Sequence, residues 1–478
     1  MLGTVTASTF SCTLEQAYRF ANVPLRPGER GSRVLAWDTD RLFDETLEGM
    51  KRAVSLARSH GVRIAGVGVD AWGVDYGRIG TDGRLRLPVK HHRGADETMP
   101  ALDAELVDPA TAYRITGVLD QTINTSHQLR TDALHGVATP GETVLLVPDL
   151  WVHLLSGAVG AERTIASTTQ LLDRETGEWS RELTAAWGIS ATLPPLVDDG
   201  HYAGQTLPQV TERIGSGEPI PVYYVTSHDT ASAFAAAVDP GTHGDGETVT
   251  GIVSSGSWAV AGIAVREPVL TEEARLLGFT QELGAGGVTL LVRNLNGMWL
   301  LQECVRAWSE EDASAVDLLG LVAEAGEVEH PAVIDVADES LQRPGHLPER
   351  IADSCEAAGH RRPSGRAELV HVILRSLAIA YADTLRVAAR LAGRRLAGVR
   401  IIGGGARNDL LCLLTAEESG LPVVAGPAEA SSLGIIYRLA VASGVLPSME
   451  LARSLELIDG DEVREFLPGT TPDRKVAT

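Results

Sequence analysis

The residues best suited to chemistry stand together in Val225-Thr226-Ser227-His228-Asp229-Thr230-Ala231-Ser232. A β-rich run (Val222 to Val225) precedes them and a small-residue helix (Ala233 to Val238) follows, so the polar side chains fall on a strand-to-helix turn. Ligands of open α/β sheets bind beyond the carboxyl ends of strands, and the free N–H groups of a helix N-terminus favour a phosphate or a carboxylate. That is a place for chemistry. The same position suits a helix cap by Ser227, Asp229 or Thr230, which is the ordinary use of these residue types.

Three further stretches share the pattern of a strand breaking into Gly, Ser and Asp. They are Gly66 to Gly77 (GVGVDAWGVDYG), Ser254-Ser255-Gly256-Ser257-Trp258, and Gly403-Gly404-Gly405. A glycine run after a strand lets backbone approach a flat or charged ligand, since no Cβ intrudes. It lacks the G-x-G-x-x-G spacing of a dinucleotide fold and equally fits a tight turn into a helix. Ser255-Gly256-Ser257 between two strands fits either a plain hairpin or a nest of N–H groups for a phosphate.

The elements that must hold these turns are legible from periodicity. Residues 1 to 10 and 13 to 20 alternate like two antiparallel strands, ended by the loop 24 to 33. Asp38 reads as the N-cap of a helix with Phe43, Leu47, Met50, Val54 and Ala57 on one face, stopped by Ser59-His60-Gly61. Ile64 to Val69 reads as a short buried strand, and the chain from there to residue 172 as mostly helix and loop. Pro240-Gly241 and the polar stretch His243 to Glu247 mark a domain boundary. Beyond it, Val249 to Ser254, Val260 to Val265 and Thr289 to Val292 read as strands. Residues 364 to 392 read as a long amphipathic helix capped by Ser364, and Val399 to Ile402 as a buried strand.

The chain has 478 residues, 44% hydrophobic and 22% charged, with a formal net charge of -22. Such an acidic balance disfavours nucleic acid and anionic membrane as partners. Its four cysteines form no CxxC pair, so neither a zinc site nor a disulfide framework is indicated. No apolar run is long enough to span a membrane, and a soluble, cytoplasmic protein is expected. The only lysines are Lys51, Lys90 and Lys475, and none follows a glycine. This excludes a Walker A loop and the strand lysine of protein kinases. Any ATP must be held by backbone N–H groups, Arg and Mg²⁺.

Taken together, GVGVDAWGVDYG (66 to 77), VPDL (147 to 150), ASTTQLLD (166 to 173), SHDTASA (227 to 233), SSGSW (254 to 258), RNLNGMWLLQE (293 to 303), GGGARNDLL (403 to 411) and AGPAEASSLG (425 to 434) resemble the FGGY family of carbohydrate kinases. ASTTQLLD, SHDTAS and GPAEASSLG are most similar to its rhamnulose-phosphorylating branch. The resemblance implies an α/β fold of two ribonuclease-H-like (actin-like ATPase) lobes flanking a cleft: a sugar-binding lobe over 1–238 and a nucleotide-binding lobe over 239–478. It implies ATP- and Mg²⁺-dependent phosphorylation of L-rhamnulose at its primary hydroxyl. The alternatives are another ketose, such as L-fuculose or L-xylulose, or a non-catalytic sugar-binding relative. By the same resemblance Asp229 is the general base, Gly73, His228, Thr230 and Asn294 contact the sugar with it, and Ser257, Gln302 and Gly404 contact ATP.

Two departures from the family pattern stand out. The sugar segment after Pro88-Val89 reads Lys90-His91-His92-Arg93, out of register with the family's arginine by one residue. The family's first strand and its Asp-x-Gly-x-Ser-Ser-Gly-Arg loop have no counterpart, and Met1-Leu2-Gly3 aligns just after them. The first lobe is therefore expected to lack a central strand, and the coding frame to begin roughly twenty residues upstream, one strand plus its loop.

Overall fold

The computed structural model describes residues 1–6, 8–137, 141–237, 247–312, 315–458 and 463–469. The polypeptide forms two compact units, each assembled from separate stretches of chain: Met1–Ala236 with Val265–Leu290 and Ser431–Gly460, and Ala237–Ala264 with Leu291–Ala430 and Asp461–Thr478. The expected division between residues 238 and 239, with its Pro-Gly and polar stretch up to residue 246, lies outside the described residues. Segments 265–290 and 431–460, placed by the sequence in the second lobe, pack with the first.

In the first unit Leu2–Thr6 and Ser11–Glu15 form an antiparallel hairpin, with Leu2 opposite Glu15. Glu456–Ile458 adds in parallel on the Ser11–Glu15 side, so Leu2–Thr6 is an edge strand. The helix Thr39–Ser59 starts where Asp38 accepts the Arg41 N–H (3.3 Å) and buries Leu42, Leu47, Val54 and Ala57. Ile64 to Val69, expected as a strand, does not form one. It makes one parallel bridge, Val67 with Val222, and Ala71, just beyond it, makes another with His228. On its other side, as at the free edge of Leu2–Thr6, the backbone borders an apolar cavity of about 530 Å³. A segment paired along one edge only, and intermittently, lacks the ladder that defines a strand. The cavity is also lined by Ile435, Ile436 and Leu439.

The stretch read as helix and loop does contain helices, including Thr125–Leu134 and Val147–Ser156. It also holds a small antiparallel sheet in the order Leu85–Arg86, Tyr76–Ile79, Thr143–Leu146. These strands span only two to four residues, too few for a period-two pattern to register. Tyr76 and Gly77 follow the GVGVDAWGVD stretch directly, so this sheet fixes one end of that turn.

The second unit is built on a mixed sheet. Six strands of a seven-stranded sheet run here in the order Thr289–Asn296, Trp258–Val265, Thr248–Ser255, Arg395–Ile402, Val423–Ala425, Arg464–Phe466. Thr248–Ser255 and Trp258–Val265 form an antiparallel hairpin, with Ser255 opposite Ala259. Thr248–Ser255 lies parallel to Arg395–Ile402, so that Ser254 pairs with Ile402 and both strands end side by side. The helix Arg366–Leu391 covers the sheet with Leu369, Val370, Val372, Ile373, Leu377, Tyr381 and Leu385, all buried. Ser364 is not its cap. Gly365 holds the cap position, and the Glu368 carboxylate reaches back to accept the Ser364 N–H (2.7 Å).

Candidate active site

Asp229 opens the helix Asp229–Ala237, which follows the strand Pro221–Tyr223. The turn between them is held on two sides. On one side the Ala71 N–H donates to the Ser227 carbonyl (3.0 Å) and the Asp229 N–H donates to the Ala71 carbonyl (3.1 Å). On the other, the Ser227 N–H donates to Glu162 Oε2 (3.0 Å) and the His228 N–H to Thr164 Oγ1 (3.2 Å). Ser227 is fully buried and its hydroxyl donates to the Val225 carbonyl, so it serves the backbone. Among the described residues, Asp229 accepts from its neighbour Thr230, through N–H (2.5 Å) and hydroxyl (3.2 Å). Its side chain is 49% exposed. A carboxylate held at the start of a helix with half its surface free is available to a ligand.

His228 stands beside it, with Nε2 3.5 Å from Asp229 Oδ1. The other ring nitrogen, Nδ1, lies 3.2 Å from Glu282 Oε2, an ion-pair distance with poor hydrogen-bond alignment. Burial holds the Glu282 carboxyl above the usual carboxylate range, and the His228 ring partly offsets this. Asp70 precedes the Ala71 bridge. Burial, reinforced by the charge of Asp229, pushes its carboxyl up to about 7. Asp70 and Asp229 thus repel one another.

Gly73 lies two residues beyond the Ala71 bridge. A Cβ there would come within 2.8 Å of Thr168 Oγ1 and 3.1 Å of its Cβ, so the glycine first makes room for Thr168. The Thr168 hydroxyl is itself fixed by donating to the Ile165 carbonyl (2.8 Å). GVGVDAWGVDYG and ASTTQLLD therefore touch at this point.

Below the same turn, Asp75 is completely buried, and its Oδ2 accepts from Trp37 Nε1 (2.7 Å), Trp72 Nε1 (2.9 Å) and His92 Nδ1 (2.9 Å). The His91 ring stacks on Trp37 (4.3 Å), and burial, with His92 beside it, lowers its pKa to about 4. Asp75, His91 and His92 bring three potential metal-ligand atoms within 4.8 Å. Asp75 Oδ2 is already surrounded by three N–H donors, and His91 Nδ1 accepts the Arg93 N–H (3.1 Å). Around Asp75 Oδ2 the cluster is a hydrogen-bonded wall, while the buried Oδ1 has no hydrogen-bond partner among the described residues. Arg93 contributes its backbone there, and the residue is exposed.

In the second unit, Ser257 and Gln302, both expected at ATP, meet: the Ser257 hydroxyl donates to Gln302 Oε1 (3.0 Å), and both are exposed. The hairpin carrying Ser257 accepts the N–H groups that open the helix Trp299–Asp312, Met298 N–H to the Gly256 carbonyl and Trp299 N–H to that of Ser257. Gly404 follows the adjacent parallel strand and is exposed, with nothing within 4 Å of where its Cβ would stand. Its neighbours are packed on Ser255: a Cβ on Gly403 would meet the Ser255 carbonyl at 2.9 Å, and one on Gly405 the Ser255 Oγ at 2.1 Å. Two parallel strands thus end in exposed Ser257 and Gly404. Asn294, expected at the sugar, is exposed on the strand Thr289–Asn296 of the second unit, so the geometry of the first unit does not include it.

Residues 28–235 match the N-terminal domain, and residues 251–443 the C-terminal domain, of the FGGY family of carbohydrate kinases. The chain belongs to this family. Relatives include rhamnulokinase from Bacteroides thetaiotaomicron, 33% identical over 438 residues, covering 90% of this chain and 86% of that one. Rhamnulokinase from Klebsiella pneumoniae (strain 342) is 31% identical over 489 residues, covering 100% and 93%. Among solved structures, xylulose kinase from Rhodospirillum rubrum superposes with a TM-score of 0.71 at 17% identity, over 94% of this chain and 88% of that one. Plasmodium falciparum glycerol kinase with ADP gives 0.71 at 14%, over 94% and 88%. The fold is therefore that of the FGGY sugar kinases, as expected. Among the described residues no helix is long and apolar enough to cross a membrane.

The sequence reading singled out Asp229, His228, Thr230 and Gly73, and these lie around one turn. It missed Asp70, Glu162, Thr164 and Glu282. Asp70 lay in a stretch already marked, but nothing local distinguishes Glu282, which reaches His228 only through the fold.

Proposed function

We propose that this FGGY kinase transfers the γ-phosphate of ATP to the primary hydroxyl of L-rhamnulose. The observation that carries the substrate assignment is identity of 31–33% to several rhamnulokinases over at least 89% of the chain. The Asp229 turn supports the chemistry. Asp229 accepts the hydroxyl proton as the sugar oxygen bonds to the γ-phosphorus, and the bond to the β-phosphate oxygen breaks with its electron pair leaving on ADP. The transition state of such transfers is loose, so the base acts late and positioning dominates. His228 and Thr230 flank the carboxylate and orient the sugar hydroxyls, with Asn294 and the Gly73 backbone as further sugar contacts. Ser257 and Gly404, beyond the ends of two parallel strands, receive the nucleotide with Gln302 of the helix Trp299–Asp312.

Asp70, which precedes the Ala71 bridge to this turn, is the residue that would hold magnesium. Burial and the charge of Asp229 push its carboxyl up to about 7, and a divalent cation would favour the ionised form. Bound with ATP, the ion would neutralise charge on the phosphates. The test is a coupled ADP-release assay over L-rhamnulose, L-fuculose, L-xylulose and D-xylulose. L-rhamnulose should give the highest kcat/KM. A different best ketose would replace the substrate, and ketose binding without ADP release would make the chain a sugar binder.

A further inference from the structure

Glu162 is one of the most fully enclosed carboxylates of the first unit, 1% exposed, and no step of phosphoryl transfer uses it. Its Oε2 accepts four donors: the Thr164 N–H (3.0 Å), the Thr164 hydroxyl, the Ile165 N–H (3.3 Å) and the Ser227 N–H (3.0 Å). Because the Thr164 hydroxyl spends its proton on Glu162, its oxygen is left as an acceptor, and the His228 N–H donates to it (3.2 Å). The two peptide N–H groups immediately before Asp229 are thus both anchored to Glu162, one directly and one through Thr164. Glu162 is in turn fixed by Asp149, whose buried Oδ1 accepts the Glu162 N–H (3.1 Å).

A helix cap alone would not need this arrangement. Glu162 does accept from the N–H groups of Thr164 and Ile165 at the start of its own short helix, Arg163–Ala166. Sixty-five residues along the chain, however, the Ser227 N–H reaches the same oxygen. One buried carboxyl oxygen shared by four donors ties the two segments together, and leaving any of those donors unpaired would be costly.

We propose that Glu162 and Thr164 are positioning residues for the catalytic base: they clamp the backbone at Ser227 and His228 and so set where the Asp229 carboxylate stands. The inference rests on Asp229 being the base. Displacing a reacting group by about 1 Å costs on the order of a hundredfold in rate. The clamp should therefore act on kcat and leave the nucleotide site of the second unit untouched.

The decisive comparison is a double-mutant cycle measured by coupled ADP release with L-rhamnulose. Thr164→Val removes the acceptor for the His228 N–H with little change of shape, and Thr164→Ser restores it. Thr164→Val should lower kcat by about ten- to a hundredfold with the KM for ATP unchanged, while Thr164→Ser stays within a few-fold of wild type. In an Asp229→Asn background, where no base remains to be positioned, Thr164→Val should cost less than about twofold, because residues that act as a unit are not additive. Melting temperatures of all four variants establish that each is folded. An equal loss in both backgrounds, or a Thr164→Val enzyme with wild-type kcat, would overturn the positioning role. Near-wild-type turnover by Asp229→Asn alone would instead overturn the assignment of the base.

Discussion

Substitution at the glycine run 403–405 separates folding from nucleotide binding. Gly405 has no room: a Cβ would stand 2.1 Å from Ser255 Oγ and 2.6 Å from Ser255 Cβ, in a layer where that hydroxyl also meets Tyr381 (3.2 Å). Gly405→Ala must push Ser255 off its position, an overpacking cost of roughly 1–3 kcal/mol. Gly404 is one residue away and has nothing within 4 Å of its Cβ position, and its φ lies outside the left-handed region. Gly404→Ala should therefore leave stability unchanged or raise it by about 0.4–1 kcal/mol, by restricting the unfolded chain. If ATP lies against this backbone, the new methyl instead meets the nucleotide, and the same overpacking of roughly 1–3 kcal/mol becomes about a 5- to 150-fold rise in the KM for ATP. The assay is coupled ADP release at saturating ketose, beside melting curves for both variants. Gly404→Ala with an unchanged melting temperature and an ATP KM within twofold of wild type would refute the nucleotide assignment of Gly404.

Ser257→Ala removes the hydroxyl that donates to Gln302; with both side chains exposed, the fold should be unaffected. The KM for ATP should rise about fivefold, the worth of one lost hydrogen bond near 1 kcal/mol, and the KM for the ketose should not move. Glu162 makes a separate prediction for stability against pH. Burial pushes its carboxyl up to about 7 from an ordinary value of 4.5, so between those values the folded chain holds a proton that the unfolded chain has lost. That contribution is fully present below pH 4.5 and disappears as pH rises through 7. Chemical denaturation from pH 4.5 to 8 should show Glu162→Gln gaining stability relative to wild type as pH rises, and a constant difference would contradict the buried, proton-holding carboxyl.

Much of this fold was legible because its turns are marked by residue types with few other uses. Asp38 capping Thr39–Ser59, the Ser255-Gly256-Ser257 hairpin and the glycines after Ile402 all stand where periodicity and turn chemistry put them. What escaped depends on partners far along the chain. Ile64 to Val69 has the composition of a buried strand, yet its pairing is reduced to one bridge, Val67 with Val222, and its other edge borders the cavity. Ser364 has the right type for a cap, but Glu368 four residues on supplies the acceptor instead. The site divides in the same way. The turn of Asp229 was marked by its own residue types, with the role of base added by the family resemblance, whereas Glu162, Thr164 and Glu282 become neighbours of that turn only when segments 65, 64 and 54 residues away close on it. Gly73 was legible as a required glycine, and the side chain requiring it, Thr168, was not.

The central claim is that Asp229 takes the proton of the acceptor hydroxyl. Its most direct test is the kcat of Asp229→Asn with L-rhamnulose and ATP, beside ketose binding by calorimetry and a melting curve. The amide keeps the size of the carboxylate and an oxygen for the Thr230 N–H, but it cannot accept the proton. Asp229→Asn should be a folded protein that binds the ketose and turns over slower by about two to four decades. A folded variant with kcat within a few-fold of wild type would contradict it.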